Sequence, residues 1–258
     1  MSYSLITSAM TWSYSRVTAF DNCPYKFFLT YIKPCPKTPL FFSGYGSFMH
    51  ELLADYYRGE KPGGALIRTY LTEFQAHISG RAPDDQVFSN YFQQGLSYLK
   101  GLEMPKENIL GVEKQVAFQV GNRPFIGYID LLLQDRENGD VIILDHKSRA
   151  LKPRSTRQRR TKSDEELDRY LRQLYLYSIP VERDYGVLPS FLAFNCYRSG
   201  SSIREPFSLS AYHAAKEWAT RSIESIVHAE DFSPHMDYYF CRYICDVHDS
   251  CEYYAMQG

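Results

Sequence analysis

The chain has 258 residues and a formal net charge of -1 at pH 7, with 44% hydrophobic and 23% charged residues. That length supports a core needing no staple merely to fold, and the charge gives no global sign of a polyanionic partner. No apolar run approaches the roughly 18 residues of a membrane span, and "MSYSLITSAMTW" lacks a basic-then-apolar leader, so a cytoplasmic protein without membrane contact is expected.

In chain order, "WSYSRVTAFDNCPYKFFLTYI" predicts a helix from about Ser13, with the serine as N-cap, and a second turn-and-helix after Cys23-Pro24. "GYGSFMHELLADYYRG" has Phe48, Leu52, Leu53 and Tyr56 or Tyr57 at helical spacing. This predicts a helix from about Gly46 to Tyr57 with His50 and Glu51 near its first turns. Further helices are expected over 63–78 and 84–100. The period then changes. "GVEKQVAFQV", "PFIGYIDLLLQD" and "VIILDHKS" read as three strands of a meander joined by tight polar turns.

From Arg149 to Lys162 the segment "RALKPRSTRQRRTK" carries seven basic residues and no acid. Such a run reads equally as a solvated mobile loop or as a holder of phosphate backbone. "DEELDRYLRQLYLYSIPV" predicts a helix with acids in its first turn. "PSFLAFNCYRSG" predicts a strand and "SAYHAAKEWATRSIESIVHAE" a long amphipathic helix, before a cysteine-rich tail. No linker or repeat divides the chain, so a single α/β domain over 1–258 is expected.

Strand alternation puts Val141, Ile143, Asp145 and Lys147 on one face of the last meander strand, with His146 on the other. The hairpin through "DRENGD" brings Asp130 beside Asp145. Neighbouring carboxylates repel unless a cation sits between them. Hard oxygen donors favour Mg2+ or Mn2+, and a lysine alongside can orient an attacking water and neutralise charge developing on phosphorus. An isolated D-x-K is usually a solvated ion pair; the surrounding motifs decide otherwise. Gln173 and Tyr177 stand at i and i+4 and share a helical face. Glu113 can join the acidic cluster, although a surface or supporting place is expected for it, and Glu51 points about 100° from His50.

Cys241, Cys245 and Cys251 form C-x3-C-x5-C, with Cys23 far upstream. Four thiolates can hold one zinc or one iron–sulfur cluster, and ligation alone does not choose. Cys35 and Cys196 are expected to be ordinary buried or half-buried thiols. The 22 tyrosines can supply stacking platforms for unpaired bases, though tyrosines more often line cores.

Taken in order, "GSFMHELL", "GYIDLLL", "ILDHKS" and "RQLYLYS" resemble the successive motifs of the PD-(D/E)xK nuclease superfamily, in particular its RecB-like branch. "SYSRVTAFDNCPYKF" is similar to that branch's opening signature, so the resemblance spans nearly the whole chain. It implies a restriction-endonuclease-like α/β core, a mixed central sheet flanked by helices. It also implies side-chain metal ligands His50, Asp130 and Asp145, a ligand from the His146 carbonyl, catalytic Lys147, and support or DNA positioning by Gln173 and Tyr177. Branch members of the AddB type and CRISPR-associated exonucleases clamp their termini with a [4Fe–4S] cluster. The resemblance therefore implies such a cluster, in preference to Zn2+, on Cys23, Cys241, Cys245 and Cys251. Cys241 departs by one residue from the family's C-x2-C spacing. The expected function is a metal-dependent DNA nuclease, an exonuclease on single-stranded DNA ends; the alternatives are a non-catalytic DNA-binding or assembly protein and a structure-specific endonuclease.

Overall fold

The structure, a computed structural model, describes residues 3–255. The outermost positions of the expected 1–258 domain, 1–2 and 256–258, lie outside the described residues. Three short or medium helices come first: α1 (Ser4–Ser8), α2 (Tyr14–Asn22) and α3 (Pro24–Phe27), the last running into a π turn over Phe28–Ile32. Ser13 caps α2 as expected, its side chain accepting from the Arg16 N–H. Cys23 caps α3, with Pro24 in its first turn.

Helices α4 (Phe41–Tyr57), α5 (Gly63–His77) and α6 (Asp85–Lys100) follow. They pack around an apolar cluster that includes Phe48, Met49, Leu52, Tyr70 and Phe74. Asp84 caps α6, accepting from the Val87 N–H at 2.7 Å. The first of these helices begins five residues earlier than Gly46. Phe41 and Tyr45 are buried, and their packing carries the helix through Gly44 and Gly46.

The sheet has the order β1-β2-β3-β4-β5: β1 (Asn108–Val120), β2 (Arg123–Gln134), β3 (Val141–Lys147), β4 (Phe191–Cys196) and β5 (Ser201–Pro206). The expected meander forms β1 to β3, and β4 joins β3 in parallel. Helix α7 (Lys162–Tyr185) makes the crossover that a parallel pair requires. Strand β5, a hairpin partner of β4, was not expected; Ile203 alone among its residues is buried, too little alternation to read. The result is a central mixed sheet flanked by helices.

The main core lies under α2, α7 and α8 (Leu209–Val227), joining Val141, Ile143, Leu171, Leu174 and Phe194. On the opposite sheet face Ile142 packs with Leu131, Leu133 and Ala193. The alternation expected for β3 thus holds. Helix α9 (Tyr238–Tyr243) and the short α10 (Glu252–Ala255) form the tail beside α3.

The basic segment after β3 is tethered at several points. Arg149 pairs with Glu166, Arg154 with Asp168 and Glu205, and Arg160 with Asp168. No helix is long and apolar enough to cross a membrane among the described residues.

Candidate active site

The chemistry-bearing residues collect where the strands separate. The β2–β3 pairing ends at Leu131↔Leu144, one residue short of Asp130 and Asp145. The His146 N–H, freed from a ladder partner on β2, donates instead to Asp130 Oδ2 at 2.7 Å. Side-chain alternation also breaks here, since Ile129 and Leu132 enter the same core cluster although three residues apart.

On the other side of Asp130, the β1–β2 register of Val112↔Leu131 and Lys114↔Ile129 places Glu113 opposite it. Glu113 has a φ of 47°, a conformation that side chains other than glycine rarely adopt. Two irregular strands therefore turn Glu113 and Asp130 toward one point.

That point is completed by α4. His50 Nδ1 lies 3.4 Å from Glu113 Oε1 and 3.5 Å from Asp130 Oδ2, while Nε2 lies 3.1 Å from the His146 carbonyl oxygen. One ligand atom each from His50, Glu113 and Asp130 lie within 4.8 Å of one another, an arrangement able to hold a metal ion. A groove of about 530 Å3, bordered by Gly46, Ser47, His50 and Glu113, opens onto it. Glu51 is exposed and turns to His77, away from the cluster.

Asp145 lies beside this cluster, and its partner is Lys147. Asp145 Oδ2 is buried without a well-directed hydrogen bond, and the Lys147 ammonium sits 2.6 Å from it. Lys147 Nζ also donates to Gln173 Oε1 at 3.5 Å, and Gln173 Nε2 donates to the Tyr177 hydroxyl at 3.2 Å. The two α7 residues singled out in the sequence thus form a relay of contacts ending on the lysine. Tyr170, one turn earlier, places its ring under Lys147 at 5.4 Å.

Electrostatics follow from crowding three carboxylates in a place with little water. Burial, then the Asp145 charge, pushes Asp130 up to about 7. Burial opposes protonation of His50, but the Glu113 hydrogen bond and the charges of Asp130 and Asp145 outweigh it and raise His50 to about 9. Burial also disfavours charge on Lys147, yet Asp145 holds its pKa above the ordinary lysine value. His146 is neutral: burial first, then His50 and Lys147, lower it to about 3. Its Nδ1 accepts from Asn195 Nδ2 at 2.9 Å, and its ring stacks on Tyr57. In the metal-free chain Lys147 offsets Asp145, and a protonated His50 offsets Glu113 and Asp130; on giving up that proton, His50 with the two carboxylates could hold a hard divalent cation.

Away from this site, Cys23, Cys241, Cys245 and Cys251 line one enclosed cavity with Leu29, Phe240 and Val247. The additional residue between Cys241 and Cys245 does not remove Cys241 from it. Burial pushes the Cys245 thiol up to about 11 and raises Cys251; the charge of Cys23 adds to both. Cys196 is buried in the main core, and Cys35 packs half-buried beside the cysteine cavity.

Sequence reasoning weighed Glu113 and expected it in a surface or supporting place; the structure puts it half-buried against His50. Gly127 carries no signal of its own in the sequence. A Cβ there would lie 2.3 Å from the Tyr177 ring, so glycine is what admits Tyr177 to the relay. The glycine stands within "GYIDLLL", but its reason is a tertiary contact that no spacing displays.

No curated protein matches the chain. A family model described as the PD-(D/E)XK nuclease superfamily matches residues 11–252. Among solved structures, a crystal structure of a proposed exonuclease from Eubacterium rectale is similar over 95% of this chain and 89% of its own, at 11% identity and a TM-score of 0.49.

Proposed function

The chain belongs to the PD-(D/E)XK nuclease superfamily, and from that premise we propose that it is a divalent-metal-dependent deoxyribonuclease, an exonuclease acting on single-stranded DNA ends. The observation that carries this reading is the meeting of His50, Glu113 and Asp130 within 4.8 Å of one another, next to the Asp145–Lys147 pair.

His50, Glu113 and Asp130 would hold Mg2+ or Mn2+, with Asp145 and the His146 carbonyl as further oxygen donors. When bound, such an ion supplies Lewis-acid polarisation of the scissile phosphate and lowers the pKa of water. The chain's own residues do the rest. Lys147, kept charged by Asp145, offsets negative charge as it builds on phosphorus in the transition state. Gln173 and Tyr177 fix where that ammonium stands. The Asp130 carboxylate is fixed in turn by the His146 N–H.

Lys147→Ala should lower cleavage by at least about a hundredfold while the circular dichroism spectrum stays that of the wild type. The assay uses end-labelled single- and double-stranded DNA with Mn2+, and chelator should abolish cutting. Wild-type rates in the variant would remove the assigned role, and binding without products would favour a DNA-binding protein on a nuclease fold. Cutting of a circular single strand would replace the exonuclease with an endonuclease.

The four cysteines are proposed to hold a [4Fe–4S] cluster in preference to zinc. Their shared lining of one apolar-walled cavity supports a common group on the four thiols, and the choice of cluster over zinc rests on the family resemblance. Its role would be structural, tying the segment around Cys23 to the tail.

A further inference from the structure

Between α7 and α8 runs a groove of about 1360 Å3 bordered by Arg169, Arg172, Trp218 and Arg221. The active-site residues do not border it, but the two places adjoin. Tyr170 neighbours Arg169 on α7, and its ring is shared by Lys147 at 5.4 Å and Arg149 at 5.7 Å. Tyr14 bridges the two regions: its hydroxyl donates to the Arg169 carbonyl, and its ring centroid lies 5.7 Å from that of Trp218. Burial raises the pKa of the Tyr14 hydroxyl, Arg172 opposes the shift, and Tyr170, Asp21 and last Asp145 add to it.

The groove's charge is what an anionic chain requires. Of its carboxylates, Asp168 is taken up by Arg154 and Arg160, and Glu205 by Arg154, leaving Glu165. Among the described residues, Arg169, Arg172 and Arg221 make no salt bridge; Arg172 lies over the Trp218 ring at 4.9 Å. Guanidinium groups of this kind bind phosphate in a fork geometry. A half-buried tryptophan beside them offers a stacking face, and only a strand whose bases are not already paired and stacked can use it.

Building on the nuclease reading, the geometry points to this groove as the track of an unpaired nucleic-acid strand, with Trp218 stacking a base and Arg169, Arg172 and Arg221 holding the phosphates of the segment that leads to Lys147.

The test is fluorescence anisotropy of the full chain with a labelled oligothymidylate of about 20 nucleotides in chelator, so that nothing is cut. Trp218→Ala should weaken binding about tenfold. Arg169→Ala and Arg221→Ala should each reduce the slope of log affinity against log salt by about 0.7. Arg136→Ala, exposed on the turn after β2, is the control and should leave both unchanged. A blunt duplex of the same length should lose less than twofold in each variant. Because Trp218 also packs against the core, exposed Arg169 and Arg221 keep the test decisive if Trp218→Ala does not fold. Wild-type binding and salt slope in both arginine variants would overturn the track. Equal losses for the duplex would do the same, as would binding of polyglutamate by a protein that ignores the oligothymidylate, which assigns the groove to an acidic protein. These outcomes separate from the nuclease reading. Wild-type cutting by Lys147→Ala sinks the active-site assignment and leaves the binding results standing; groove variants that bind and cut normally sink only the track.

Discussion

His50, Asp130, Asp145, Lys147, Gln173 and Tyr177 were legible as residues because their types recur at spacings that helices and strands translate into shared faces. Glu113 was only half legible, since its approach to His50 depends on a φ of 47° and a break in strand alternation that no periodicity records. Gly127 was not legible at all, and it yields the sharpest expectation at this scale. Gly127→Ala forces a methyl group into the Tyr177 ring, displacing the contacts that run through Gln173 to Lys147. Cleavage should fall by about tenfold to a hundredfold, the cost of a small misplacement near reacting groups, with folding retained. Measuring the rate on end-labelled DNA alongside a thermal melt checks this; an undiminished rate would show that Tyr177 does not position the lysine.

At the scale of elements, most helices and the meander could be read in advance because capping residues and apolar periods agree. The start of α4 and the whole of β5 could not. In the first case Gly44 and Gly46 obscure buried Phe41 and Tyr45, and in the second a short hairpin strand buries a single side chain. Helix α7 shows how far local signals reach. Its Thr161–Asp164 capping box is complete, and Asp164 also accepts from the Ser155 N–H at 2.7 Å, so one carboxylate both starts the helix and ties down the basic segment. These three hydrogen bonds from Ser155 and Thr161 hold its pKa down at about 2. A depressed carboxylate stabilises the folded state above its unfolded pKa, near 4, and loses that contribution as pH falls through about 2. Asp164→Ala should therefore lower the melting temperature by about 2–6 °C at pH 7. The gap from wild type should be constant down to about pH 5, narrow below 4 and close near 2. A gap that persists at pH 2 would mean that the carboxylate charge is not what matters.

For the whole molecule, the cysteine cavity joins segments separated by more than 200 residues. A tether across so long a loop removes much freedom from the unfolded chain, which is where cross-links act most. Anaerobically purified protein should be brown, with absorbance near 400 nm on the order expected for an iron–sulfur centre, and Cys251→Ser should lose both the colour and several degrees of thermal stability. Colourless protein that contains zinc, or no metal, would reject the cluster. The pairing of Cys23 with the tail was visible in the sequence only through family resemblance; the fold lines one cavity with all four cysteines, where Tyr25 and Leu29 pack against the segment around Val247.

Trp12 adds a last consequence. On the N-terminal side of Leu131, β2 lacks β3 as a neighbour, and at Phe125 Trp12 takes that place: its backbone N–H donates to the Pro124 carbonyl and its carbonyl accepts from the Ile126 N–H, both at 2.8 Å. The indole is wholly buried. A single residue thus guards an edge that would otherwise offer free amides to a neighbouring molecule. Clipping the chain just after this residue would uncover that edge and turn the protein toward self-association, so that loss of solubility would be the first symptom.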